Sequence, residues 1–206
     1  MILGVDHITI NVANASQEVE LLKNNGYNCV FYEKGILNHP AKKILLKHLN
    51  SSHDLFFLRP KGMGLSVEIV NHGDELAGIA TPYVYVGGNR VKLFTADLFK
   101  EIIFWQKALC FTEIASNILS FVSPVSNWTC EIVLEKCQRN CCCTLDSKGF
   151  TCLAILTNDI ITDMQLAEKC GAYSIIGPFD LIINGKKLVL SMFRTPSGAI
   201  CELVML

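Results

Sequence analysis

A glutamate recurs three times in one hydrophobic setting: Leu65-Ser-Val-Glu68-Ile-Val, Trp128-Thr-Cys-Glu131-Ile-Val and Ala199-Ile-Cys-Glu202-Leu-Val. Internal repetition of this kind decides architecture before any other signal does. Each copy follows another strand-like run, at Asp54–Leu58, Leu119–Val122 and Lys187–Leu190. The turn before the last copy, Thr195-Pro-Ser-Gly198, has Pro and Gly where a type I turn wants them. Upstream of each glutamate lies a further strand, at Val5–Val12, Arg90–Thr95 and Thr151–Thr157, and then a helix. Seven residues after His7, Arg90 and Cys152 come Asn14, Asp97 and Asp159, side chains that accept backbone N–H bonds at a helix start. Gln17 backs Asn14 at the capping-box position. Leu98, Ile102, Trp105 and Leu109 make the apolar stripe of the second helix, and Ile160, Met164 and Ala167 that of the third. Gly26 and Gly171 are suited to end the first and third helices.

The order strand, helix, strand, strand, strand therefore occurs three times, at 1–80, 88–137 and 149–206. The fold class is α+β. Residues 38–50 read as an extra helix in the first copy (about 39–50), with Pro40 in its first turn. The stretch 138–148 is a polar connector, and 72–87 a longer one containing Gly78, Pro82 and Gly87, which Gly88 follows.

A formal net charge of −1 with no basic block argues against nucleic acid or an anionic membrane surface as partner. The apolar runs are strand-length, short of the roughly 18 residues a spanning helix needs. Met1–Thr9 has no basic segment followed by an apolar one, so no secretory signal is read there. The expectation is a cytoplasmic protein whose ten cysteines are thiols. Cys137, Cys141, Cys142 and Cys143 lack the paired CxxC spacing of a structural zinc site. Asn127-Trp128-Thr129 is a sequon in outline only.

Three features together carry a resemblance: an early Val5-Asp-His7-Ile, the capped helix segment Asp97–Phe111, and the final hairpin Arg194–Leu203. The pattern is similar to the βαβββ module of the vicinal oxygen chelate group, which includes glyoxalases, bleomycin-resistance proteins and extradiol dioxygenases. The resemblance covers nearly the whole chain in three weak copies. It implies modules that pair into cupped, incomplete barrels, with a divalent metal (zinc, nickel, manganese or iron) held by the first-strand histidine and last-strand glutamate positions. Here those positions are His7 and Glu68, Arg90 and Glu131, and Cys152 and Glu202. Only the first copy keeps both residue types.

Alternation places Val5, His7, Thr9 and Asn11 on one strand face, with Ile8, Ile10 and Val12 on the other. A glutamate aimed into an enclosed cup needs a cation or strong donors. With a metal, the site suits enolate stabilisation, Glu68 and Glu202 being the candidate proton carriers. Arg90 and Lys92 either neutralise Glu131 as a salt bridge or, with Asn11, receive an anionic ligand. Cys152 is either a thiolate ligand beside Glu202 or a small core residue. His53 and His72 flank turns and read as surface residues, and His39 and His48 have no partner at a telling spacing.

Two functions follow: a metal-dependent, glyoxalase-like lyase or isomerase acting on a small oxygen-rich substrate, or a non-catalytic protein that binds and sequesters a small molecule. The shorter connector suggests that the second and third modules pair within the chain. The first would then pair with its own copy in a two-fold homodimer, bringing together His7 and Glu68 from both chains.

Overall fold

A computed structural model describes residues 1–73, 80–140 and 142–205. Gly78 and Cys141 lie outside the described residues. The first copy comprises β1 (Ile2–Asn11), α1 (Ala15–Asn24), β2 (Tyr27–Leu37), β3 (Ser52–Pro60) and β4 (Ser66–Asn71). The second has β5 (Tyr83–Gly87), β6 (Arg90–Thr95), α2 (Leu98–Leu109), β7 (Thr112–Ala115), β8 (Ile118–Val122) and β9 (Thr129–Lys136). The third has β10 (Gly149–Thr157), α3 (Ile160–Lys169), β11 (Tyr173–Ile183), β12 (Lys186–Arg194) and β13 (Ile200–Met205).

The helix starts obey the local chemistry. Asn14, Asp97 and Asp159 each accept a hydrogen bond from the backbone N–H three residues on. Past the helix ends, Gly26 and Gly171 take φ of +86° and +104°, a conformation that favours glycine. Gly198 N donates to Thr195 O at 2.9 Å, closing the expected turn.

Module pairing is not the one the connectors suggest. Strands of the first and third copies form one eight-stranded sheet, ordered β11-β12-β13-β10-β1-β4-β3-β2, joined where β1 runs antiparallel to β10. The second copy forms a separate sheet, β5-β6-β9-β8-β7. The cause lies in the long connector, which supplies β5. That strand pairs antiparallel with β6 and occupies the edge at which β1 receives β10. Gly87 and Gly88, at φ +98° and +62°, make the tight turn between β5 and β6. With that edge of β6 taken, the second module cannot receive β10 in the way that β1 does. The first module is paired within the chain, so the reason for expecting it to pair with its own copy falls.

One large core joins both sheets: Ile8, Val67 and Leu153 from the first, Leu93 and Ile132 from the second, and Trp105 from α2. Buried Glu101 on α2 ties the second module to the third. It accepts bonds from Trp105 Nε1 and Ser197 N, both at 2.9 Å. The opposite face of the eight-stranded sheet carries a second apolar cluster, including Leu190, Met192 and Val204. That face is the wall of a cup.

The extra helix is reduced to a 3₁₀ segment, Pro40–Leu45. Leu46 returns to extended backbone, and both Leu45 and Leu46 are buried. The chain here is a strap fixed from outside. Asp146 accepts from Lys47 N and His48 N at 2.9 and 2.8 Å, and Leu145 N donates to Leu45 O at 2.8 Å. These contacts compete with continuation of the helix. On the far side, Asn184 N donates to Glu33 Oε2 at 2.7 Å, joining the β11–β12 hairpin to β2. Among the described residues no helix is long and apolar enough to cross a membrane.

Candidate functional site

The eight-stranded sheet, the strap and the β11–β12 hairpin enclose a cavity of about 370 Å³. Its floor is built where the first and third modules meet. His7 and Thr9 come from β1, Glu68 from β4, and Cys152 and Glu202 from β10 and β13. Thr9 lies opposite Glu68, and Ala154 opposite Glu202, so the two modules present their glutamates in matching register.

The β1–β10 ladder is irregular at several places, and one of them shapes the site. The register with β10 shifts between Val5 and His7, which leaves Asp6 as an extra residue in a β-bulge. Val5 therefore packs in the large core beside Ile8 rather than sharing a face with His7. Both Asp6 and His7 turn toward the cup.

The bulge places the two side chains together. His7 Nδ1–H donates to Asp6 Oδ2 at 2.8 Å, and the ring meets Phe57 edge-on at 5.3 Å. His7 Nε2 stands 3.6 Å from Glu68 Oε2, too far for a hydrogen bond, and has no partner. Thr9 Oγ1 donates to Glu68 Oε2 at 2.9 Å. Burial opposes charge on both partners, but each stabilises the other. The Glu68 charge and the Asp6 bond hold the His7 pKa well above its ordinary value. The His7 charge and hydrogen bonding then pull Glu68 down to about 2. At neutral pH this is an imidazolium–carboxylate pair. Glu202 goes the other way: burial and the nearby Glu68 charge raise it to about 7, despite Lys42 and His7.

Three further side chains in the cup were not readable as functional. Lys42, on the 3₁₀ segment, is buried, lines the cavity and forms no ion pair among the described residues. His53 and His72, expected at the surface, are 5% and 6% exposed and lie with ring centroids 5.0 Å apart. Neither Nδ1 has a hydrogen-bond partner. Burial, then the Lys42 charge, lowers His53 to about 3 and His72 to about 4, so both rings are neutral. One signal for His53 was available: it alternates with Leu55 and Phe57, both apolar and cup-facing. Nothing in the sequence separates Lys42 from exposed Lys43.

The remaining candidates lie elsewhere or are already engaged. Asn11 is buried outside the cup. Its Nδ2 donates to Ser147 O at 3.2 Å, and its Oδ1 accepts from His72 N at 3.3 Å. Cys152 lies in the cup wall, and burial, followed by the Glu202 charge, pushes its thiol well above the ordinary range. It packs in the second apolar cluster beside Ala154 and Met192.

Arg90, Lys92 and Glu131 do not reach the cup. Arg90 pairs with Glu131, Nε donating to Oε2 at 2.8 Å, and Lys92 pairs with Glu135 at 2.7 Å. The Arg90 side chain is 50% exposed, so the pair is a surface one worth about 0–1 kcal/mol rather than a buried one. Glu131 also sits two residues out of step with the other glutamates, because its β6 partner is Arg90, seven residues before the helix cap. Thr9 and Ala154 stand five before theirs.

Among the described residues no three His, Cys, Asp or Glu side chains converge closely enough to hold a metal ion. Cys137 and Cys142 are free thiols, and Cys143, within the connector, is buried in the second apolar cluster.

No family model matches the chain, and no curated protein matches its sequence significantly. Solved structures do resemble it. Glyoxalase I from Zea mays is 16% identical, with a TM-score of 0.43 over 99% of this chain and 69% of that one. Methylmalonyl-CoA epimerase from Mycobacterium tuberculosis is 12% identical, with a TM-score of 0.49 over 99% of this chain and 88% of that one. Each is a likeness of overall fold at low sequence identity.

Proposed function

We propose that the cup is an active site in which Glu202 moves a proton on a small, oxygen-rich substrate. The reaction would be a lyase or isomerase step passing through an enolate. The observation that carries this reading is the pair Glu68 and Glu202 on one floor of the cup, with their pKa values driven in opposite directions by their surroundings. Carboxylates separated in this way take different parts in acid–base chemistry.

A divalent metal fits only partly. Once deprotonated, His7 Nε2 would be a ligand atom whose ring Asp6 orients through Nδ1, with the Glu68 carboxylate beside it. The set stops there. Cys152, whose thiol burial pushes up, occupies the matching position in the third module, and among the described residues no third donor closes on His7 and Glu68. The chemistry is therefore assigned to the chain's own groups.

Glu202, at about 7, is poised to take a proton from a carbon next to a carbonyl and to return it. The protonated His7 has an Nε2–H that makes no hydrogen bond, 3.6 Å from Glu68 Oε2, and it would donate to the oxygen on which negative charge develops. Ionised Glu68 keeps that imidazole charged, and apolar side chains of β3 and β12 wall the cup around it.

The test is carbon-bound hydrogen exchange in D₂O across a panel of small keto acids and neutral ketones, followed by proton NMR. Exchange is expected with wild-type protein and should fall roughly 10²–10⁴-fold in Glu202→Gln. Binding of panel members without any exchange would instead make the cup a sequestering site.

A further inference from the structure

We infer that Lys42, His53 and His72 form an anion subsite in the cup, and that the ligand is a small carboxylate with an apolar body. The proposal rests on reading the cup as the place where substrate binds, and it names the substrate's class.

Three observations point to an anion. First, Lys42 brings an ammonium group into a buried position with no ion pair among the described residues. Glu68 and Glu202 offset its charge only through space and without contact, which leaves the ammonium able to take a contacting anion that arrives from solution. Second, His53 and His72 stand beside each other in the same cavity, each more than nine-tenths buried and each with an unpartnered Nδ1. Buried polar atoms of native proteins are nearly always satisfied, so two orphans in one cavity mark a place for ligand atoms. Third, the charge balance of the lining is positive. Lys42, Arg59, Lys186 and protonated His7 face Asp6, Glu68 and a Glu202 only half ionised near neutrality.

The rest of the ligand follows from the walls. Phe31 and Phe57 stack at 5.4 Å on one side, and Leu181, Leu188 and Leu190 line the other. A cavity of about 370 Å³ suits a molecule of drug-fragment size with a flat or branched apolar part. Neutral imidazoles complement the ammonium: their N–H groups can donate to a carboxylate oxygen without adding charge that would have to be buried.

The experiment uses the full chain with labelled histidine, whose five ring systems give a simple spectrum. It is titrated with benzoate and with benzamide, the uncharged molecule of nearly the same shape. A charge-assisted contact predicts benzoate binding at least about tenfold tighter. Ring signals of His53 and His72 should shift, while those of His39 and His48 stay fixed. Lys42→Met should bring benzoate down to the affinity of benzamide and leave benzamide unchanged. Should that variant fail to fold, the wild-type comparison of the two probes decides alone. Equal affinities, no shift at millimolar benzoate, or shifts confined to His39 and His48 would overturn the subsite.

Its failure is separable from that of the acid–base reading. Benzoate binding as described with no hydrogen exchange on any panel member leaves the subsite and removes the chemistry. Exchange of equal rate on keto acids and on neutral ketones does the reverse.

Discussion

Glu68 and Glu202 are the same residue type in the same repeat, yet their surroundings set them apart. Glu68 has the His7 cation and the Thr9 hydroxyl against it, and stays ionised. Glu202 has burial and the Glu68 charge, and keeps its proton to about pH 7. The linkage has a definite sign. An unfolded glutamate releases its proton near an ordinary 4.5, so between 4.5 and about 7 the folded state binds more protons than the unfolded one. The contribution of Glu202 to stability therefore falls as pH rises through that window. Glu202→Gln removes this dependence, so the variant should gain on the wild type between about pH 5 and about pH 8. Denaturant unfolding at the two pH values measures it, and a difference that does not change with pH would contradict the raised pKa. His53 and His72 act in the other direction. Their rings stay neutral in the folded state, so their contribution to stability falls as pH drops from 6.5, where the unfolded rings protonate, toward about 4 for His72 and about 3 for His53.

Elements place these residues, and two irregular ones matter most. The bulge at Asp6 breaks the period of β1 so that neighbouring side chains, Asp6 and His7, both serve the cup. The strap 38–50 delivers Lys42 because Asp146 and Leu145 hold it from the 138–148 connector. Replacing Asp146 with alanine leaves the Lys47 and His48 N–H groups without an acceptor. The expected cost is about 1–3 kcal/mol, since Asp146 is 1% exposed and water replaces it poorly. Amide hydrogen exchange at Lys47 and His48 should accelerate, and unchanged exchange there would show that the strap is held by its buried leucines alone. The capped helices, by contrast, need no such external support: each starts on an Asn or Asp that its own sequence supplies.

At the level of the whole molecule, two sheets share one core, and the second module is built into that core rather than appended to it. Phe104, Trp105 and Leu109 on α2 are fully buried among residues of both sheets. Unfolding is accordingly expected to be a single transition. The two tryptophans, Trp105 and Trp128, both report on the second module, whereas the ring signals of His53 and His72 report on the cup. Their denaturation midpoints should coincide. Separated midpoints would mean that the second module folds independently and that the Glu101 link to Ser197 does not couple it to the third.

The sequence by itself determined what depends on local chemistry and on period. The three repeats, the cap residues and the strands bearing Glu68, Glu131 and Glu202 were all legible, as were the packing roles of the helix stripes. Each is written in side chains within a few residues of one another. Tertiary structure alone decided which modules join. Strand edges pair through backbone groups that carry no side-chain signature, and β5 took the edge of β6 from within a segment that reads as connector. It likewise decided the contents of the cup. Lys42 and Lys43 are chemically alike until the strap turns one inward, and His72 becomes a buried ring only because β1 and β4 meet beside Asn11. The register of β9 belongs to the same class: Glu131 has the right neighbours in sequence, but the strand beside it is shifted by two residues. Its charge therefore meets Arg90 at the surface instead of His7 in the cup.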